Sequence, residues 1–201
     1  MLLEHLELST RGKWAEGYGR VFRLYVDDKV RKANLPVKNH GGRKIDISKH
    51  PEIEPWLNKL KKERRFQVDR FIQREDLLFV ISCKARDFLY DRKIRRRDFF
   101  FSIREVEARI RQDIEDMGEI FIGMDCIASC DRVRKDLELD GSMFVPIVLT
   151  SRLEPMGVKE VRDYYSDKLK FPDVPMLMIE DFIEILRDPS KKIADGTLLY
   201  L

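Results

Sequence analysis

The strongest constraint in this chain is Leu77-Leu78-Phe79-Val80-Ile81, a run of five residues apolar at every position. Successive side chains of a strand point to opposite faces, so a strand with one wet face would alternate. An unbroken run asks instead for a central strand covered on both sides. Ahead of it, Phe66, Val68 and Ile72 mark a second strand, and the polar Gln73-Arg74-Glu75-Asp76 joins the two. Residues 65–86, RFQVDRFIQREDLLFVISCKAR, therefore read as a β-hairpin. With the turn centred between Glu75 and Asp76, Asp69 falls opposite Ser82, and Lys84 shares the face of Ser82. The reading brings Asp69, Ser82 and Lys84 to one sheet edge.

Around this hairpin the chain alternates helix and strand signals. Trp14, Tyr18, Val21, Phe22, Tyr25 and Val30 recur at helical spacing and predict an amphipathic helix over 13–33, with Glu16 in its first turns. Residues 35–47 read as two short extended pieces about an Asn39-His40-Gly41-Gly42 turn. Pro51 opens a helix whose apolar face is Ile53, Trp56, Leu57 and Leu60 and whose end is rich in Lys and Arg, cations that suit a helix C-terminus. Ser102-Ile103-Arg104-Glu105 is a capping box for a helix carrying Ile103, Val106, Ile110, Ile114 and Met117. Residues 119–143 suggest an insert, with an extended piece at 120–122 and a helix through Ile127, Val133 and Leu137. Strand 145–150, a helix through Val158 to Leu169, strand 174–178 and a helix through Phe182, Ile183 and Leu186 follow, implying a right-handed parallel crossover. The expected fold is α/β, with a mixed central β-sheet flanked by helices, in a single domain spanning 1–201.

Composition narrows the class. No apolar run approaches the roughly 18 residues of a membrane span, and Glu4, His5 and Glu7 interrupt any signal-peptide core. The expectation is a soluble, cytoplasmic protein without membrane association. Cys83, Cys126 and Cys130 are too few for a disulfide framework, and the Cys126/Cys130 pair lacks a second ligand pair for zinc. His5, His40 and His50 are too scattered for a histidine-based triad. Only six residues are Asn or Gln, against 75 charged ones, a bias that fits a thermophile. The net charge of +3 conceals an asymmetry: residues 1–112 hold 28 Lys and Arg against 17 Asp and Glu, whereas the remainder holds 11 against 19. The basic half contains the hairpin, which points that half toward a polyanion.

Phosphodiester hydrolysis needs a divalent cation, a water nucleophile and cationic stabilisation of developing charge. A strand Asp supplies hard oxygen for Mg2+, and a lysine beside it can orient the water or neutralise the phosphate. An Asp and a Lys on a hairpin are by themselves ordinary surface, and Asp46 in Lys44-Ile45-Asp46-Ile47 is a rival strand carboxylate. The order of the surrounding elements, with Glu16 in the first helix, Asp69 before the turn and Cys83-Lys84 ending the apolar strand, resembles the PD-(D/E)XK, or restriction-endonuclease-like, superfamily. Within it, the chain looks closest to the Mrr-like and Holliday-junction-resolvase-like branch.

The resemblance covers most of 12–188. It implies a restriction-endonuclease-like core and a Mg2+- or Mn2+-dependent DNA endonuclease of defence or repair, with homodimers as the usual form where both strands are cut. Lys84, Asp69 and Glu16 would be catalytic. Ser82 stands where the family carries an acid or Gln. Some members with Ser or Thr there draw the carboxylate from the next helix, for which Asp98, Glu105 and Glu107 are the substitutes, so the metal set would be Asp69 and Glu16 with Asp98 or Glu105. The alternative is a catalytically inactive fold that binds nucleic acid or assembles with partners. Arg92, Lys93, Arg95, Arg96 and Arg97, with Lys61 and Lys62, are the cations that would neutralise phosphates without reading sequence.

Overall fold

The computed structural model describes residues 2–85, 103–139, 143–151 and 174–188, with side chains from residue 17 in the first segment and from 111 in the second. Three strands pair antiparallel in chain order: β1 (Lys38–Asp46), β2 (Arg65–Arg74) and β3 (Leu77–Lys84). β4 (Met143–Thr150) lies parallel to β3, and the short β5 (Met176–Leu177) lies parallel to β4. The sheet order is β1-β2-β3-β4-β5, which makes the apolar run of β3 the middle strand of five.

The strand is covered as its composition demands. Leu78 and Val80 enter one core with α2 (Glu54–Lys59), α3 (Ile103–Ser129) and α4 (Asp131–Asp136). Leu77, Phe79, Ile81 and Cys83 enter a second core with α1 (Leu2–Lys32) and α5 (Ile179–Arg187). The chain is therefore α/β, with a five-stranded mixed sheet flanked by helices on both faces. Among the described residues no helix is long and apolar enough to cross a membrane. Cys83, Cys126 and Cys130 are free and buried.

The hairpin has the expected register. Arg74 pairs with Leu77 and Arg70 with Ile81, so the turn is Glu75-Asp76, and Glu75 takes a left-handed φ of 54° to close it.

Four expectations are corrected. The Asn39-Gly42 stretch is no turn; it lies inside β1, where the register against β2 slips twice and absorbs both glycines. Residues 120–122 are helical, because α3 runs unbroken to Ser129 and buries Ile120, Gly123, Cys126 and Ile127 at helical spacing. The strand expected over 174–178 is confined to Met176–Leu177. In α1 the buried stripe is Phe22, Val26 and Val30, while Tyr18, Val21 and Tyr25 are 53%, 64% and 41% exposed. Both stripes have helical spacing, and contact with the sheet selects between them. The three buried side chains each contribute about 1.5–3 kcal/mol to holding α1 on the sheet. The helix expected through 158–169 lies outside the described residues.

Candidate functional site

Asp69 sits at a bulge. Gly41 pairs with Phe71 and Arg43 with Val68, so β2 spends three steps where β1 spends two. Val68 and Phe71 consequently both reach the first core although they are three apart. A bulge of this kind re-aims the intervening side chains. Gly42 allows the close approach, since a Cβ there would stand 2.5 Å from the Asp69 carbonyl oxygen.

The regular β2–β3 ladder ends at Arg70 and Ile81, one step short of Asp69. There the carboxylate replaces a ladder bond: Asp69 Oδ2 accepts from the Cys83 N–H at 2.8 Å. Its Oδ1 accepts from Gln67 Nε2 at 3.3 Å and lies 3.5 Å from Arg23 Nη1 of α1. The side chain is 15% exposed.

Arg70 fixes the same bulge from beneath. Its Nε and Nη2 each donate to an Asp27 oxygen at 2.6 Å, a bidentate pair, while Nη1 donates to the Asp69 carbonyl. The Asp27 carboxylate raises the guanidinium pKa further above its ordinary value, against the opposing effect of burial. α1 is thus anchored to the sheet by charge at Asp27 and by apolar packing at Val26 and Val30.

Lys84 is held from the other face. Its Nζ lies 2.8 Å from Asp116 Oδ1 of α3, with side chains 27% and 4% exposed respectively. Gln112 Nε2 donates to the same Asp116 oxygen at 3.3 Å. Asp69 and Lys84 therefore share one end of the hairpin, the Asp69 carboxylate resting on the amide next to Lys84, but their charged partners come from α1 and α3 on opposite faces of the sheet.

The remaining expected residues fall as follows. Glu16 lies on α1 two turns before Arg23, about 10 Å along the axis; its side chain, like those of Glu105 and Glu107 in the first turns of α3, is outside the described residues. So are Asp98, Arg92, Lys93, Arg95, Arg96 and Arg97. Lys61 is exposed, and Lys62 Nζ lies 3.1 Å from Glu119 of α3. Asp46 serves its own turn: the Ser48 N–H, donating at 2.9 Å, holds its carboxyl below the ordinary carboxylate value, with Arg64 at 3.5 Å.

Sequence reasoning missed Asp116, Asp27 and Arg23. For Asp116 a signal existed: it stands in register with Ile120, Gly123 and Ile127, all buried, so an acid extends the core stripe of α3.

Among the described residues no group of three or more His, Cys, Asp or Glu is arranged to hold a metal ion. Mg2+, however, is commonly held by one or two carboxylates, with waters and substrate phosphates completing its shell. Asp69 and Asp116 are hard-oxygen donors of that kind, and each carries a cationic partner that a metal would have to displace. What fold and site define is an α/β protein whose central hairpin ends between two ion-paired carboxylates. Comparison with family models, with curated proteins and with solved structures finds no match.

Proposed function

We propose that the chain is a metal-dependent nuclease that hydrolyses phosphodiester bonds in DNA, with Asp69, Asp116 and Lys84 as its polar centre. The observation that carries this reading is the buried carboxylate that α3 delivers to Lys84. Ser82 has none to give, and an acid drawn from the helix after the hairpin is the substitution the resemblance to restriction-endonuclease-like proteins allows. With α2 set between β1 and β2 and α4 following α3, the order helix, three antiparallel strands, helix and parallel strand supports the same reading.

Asp69 would offer its carboxylate to Mg2+ or Mn2+, which when bound would polarise the phosphate and lower the pKa of water. Lys84 would offer its ammonium to the phosphate oxygen on which charge develops. Asp116 keeps that ammonium at the strand end, and Arg70 keeps the Asp69 backbone in place.

A second reading has its own support: Asp69 is already satisfied by Arg23 and the Cys83 amide, and Lys84 by Asp116, so the centre can stand as a structural ion-pair cluster in an inactive module that binds nucleic acid. Cleavage of supercoiled plasmid and of branched DNA with Mg2+ or Mn2+ decides between them. The nuclease reading expects cleavage by wild type and none by Lys84→Ala or the shape-preserving Asp69→Asn, with DNA affinity nearly unchanged. Cleavage surviving Lys84→Ala removes the mechanism. DNA binding without cleavage by wild type leaves the second reading.

A further inference from the structure

The exposed end of the β1–β2 ribbon carries Lys44 and Arg65, which form no ion pair among the described residues. Lys44 pairs across the ladder with Gln67, and Arg65 with Asp46, so Lys44, Arg65 and Gln67 share the sheet face opposite the one on which Ile45 and Phe66 pack. Gln67 in turn donates to Asp69. Lys44, Gln67 and Asp69 are therefore consecutive steps of one surface. α1 runs beside it, because Asp27 meets Arg70 and, one turn earlier, Arg23 meets Asp69. Arg20, one turn earlier again and exposed, continues toward the Arg65 end.

Both acids of this strip are neutralised, Asp46 by Arg64 and Asp69 by Arg23. Among the described residues no ion pair joins Arg20, Lys44 or Arg65 to an acid, and all three are exposed. Arg23, Lys44, Arg64 and Arg65 outnumber Asp46 and Asp69 on this surface, which leaves it net positive and favours a polyanion. From Arg65 to Asp69 the strip spans about 13 Å, the axial length of about four base pairs.

We infer that Arg20, Lys44 and Arg65 form a phosphate-docking strip that receives the backbone of duplex nucleic acid and leads it to the Asp69–Lys84 end of the hairpin. The occupant is a polyphosphate strand read by charge and spacing, with no base contact required. This inference rests on the nucleic-acid reading above, and binding tests it apart from cleavage.

The experiment is fluorescence anisotropy of a labelled 20-base-pair duplex titrated with the full chain at several KCl concentrations. Lys44→Glu combined with Arg65→Glu is compared with Arg31→Glu combined with Arg187→Glu, which changes the net charge equally at the far end of α1 and on α5. All four positions are exposed, and circular dichroism confirms that each variant folds. Each lost phosphate contact lowers the slope of log K against log salt by about 0.9. The strip variant is expected to lose about two in that slope and at least tenfold in affinity near 100 mM salt, with the control changing less than threefold. Equal weakening of both variants overturns the strip and leaves nucleic-acid binding intact as a net-charge effect. No duplex binding by wild type at 50 mM salt overturns both readings. Wild type that binds vesicles of 30% phosphatidylserine but not the duplex reassigns the surface to an anionic membrane and overturns the inference.

Discussion

Removing the cation from the Lys84–Asp116 pair separates packing from chemistry at the proposed centre. The Asp116 side chain is 4% exposed, so Lys84→Met takes the ammonium from a buried carboxylate to which Gln112 still donates. Stripping a fully buried pair of one partner costs about 3–5 kcal/mol. Lys84 is 27% exposed, so water reaches the gap and screens part of that, which brings the expectation to about 2–3 kcal/mol. Asp116→Leu frees an ammonium that can turn to solvent, and should cost only about 1 kcal/mol. Lys84→Met with Asp116→Leu replaces the pair by apolar volume and should regain most of the loss, giving a coupling energy of about 1.5–3 kcal/mol. Urea denaturation followed by circular dichroism measures all four corners of the cycle, with an unchanged m-value required for comparison. A cost below about 0.5 kcal/mol for Lys84→Met, or a double variant as unstable as the sum of the single ones, would refute the placement of Asp116 against Lys84.

Two further predictions test the bulge and the second core. Gly42→Ala puts a Cβ 2.5 Å from the Asp69 carbonyl oxygen, a backbone atom with little freedom to move. It should destabilise by about 1–3 kcal/mol and, if Asp69 acts in cleavage, reduce activity more than Lys49→Ala, an exposed change in the loop that follows β1; equal stability to wild type would mean that β1 and β2 do not approach as described. Burial, followed by the Asp69 carboxylate, pushes the Cys83 thiol up to about 12 from an ordinary 9.0. The folded thiol should therefore resist alkylation at pH 8.5, and because the unfolded thiol ionises from about pH 9 while the folded one does not, stability should fall as pH rises from 9 to about 12. Labelling of Cys83 in the native protein at the rate of a free thiol contradicts that burial.

The legible parts of the fold were those governed by local periodicity and by one strong asymmetry. Five apolar residues in succession left β3 no position except the middle of a covered sheet, and a two-residue turn then set the register down to Arg70 opposite Ile81. Long-range choices were not legible. Phe22, Val26 and Val30 are chosen over Tyr18, Val21 and Tyr25 only because the sheet lies on that side of α1. The Gly41-Gly42 pair has the composition of a turn, but across the ladder β2 holds an extra residue, and the glycines let β1 follow it.

The same distinction governs the site. Asp69 and Lys84 were visible because a hairpin fixes them locally, whereas their partners arrive from helices 46 residues before Asp69 and 32 residues after Lys84. Those partners change the chemical meaning of the pair. An isolated Asp69 would be a free metal ligand and an isolated Lys84 a free cation. With Arg23, the Cys83 amide and Asp116 in place, each charge is held and neutralised, and a divalent ion must compete with Arg23 for Asp69 and with Lys84 for Asp116. On the nuclease reading, activity depends on whether a bound phosphate can draw Arg23 onto its own oxygens and release the Asp69 carboxylate to a metal. Ordered release of this kind would make metal affinity rise when nucleic acid is present, since linkage requires each ligand to favour the other equally. An inactive module has no such coupling, so Mn2+ binding measured by calorimetry with and without an uncleavable duplex distinguishes the two without relying on turnover.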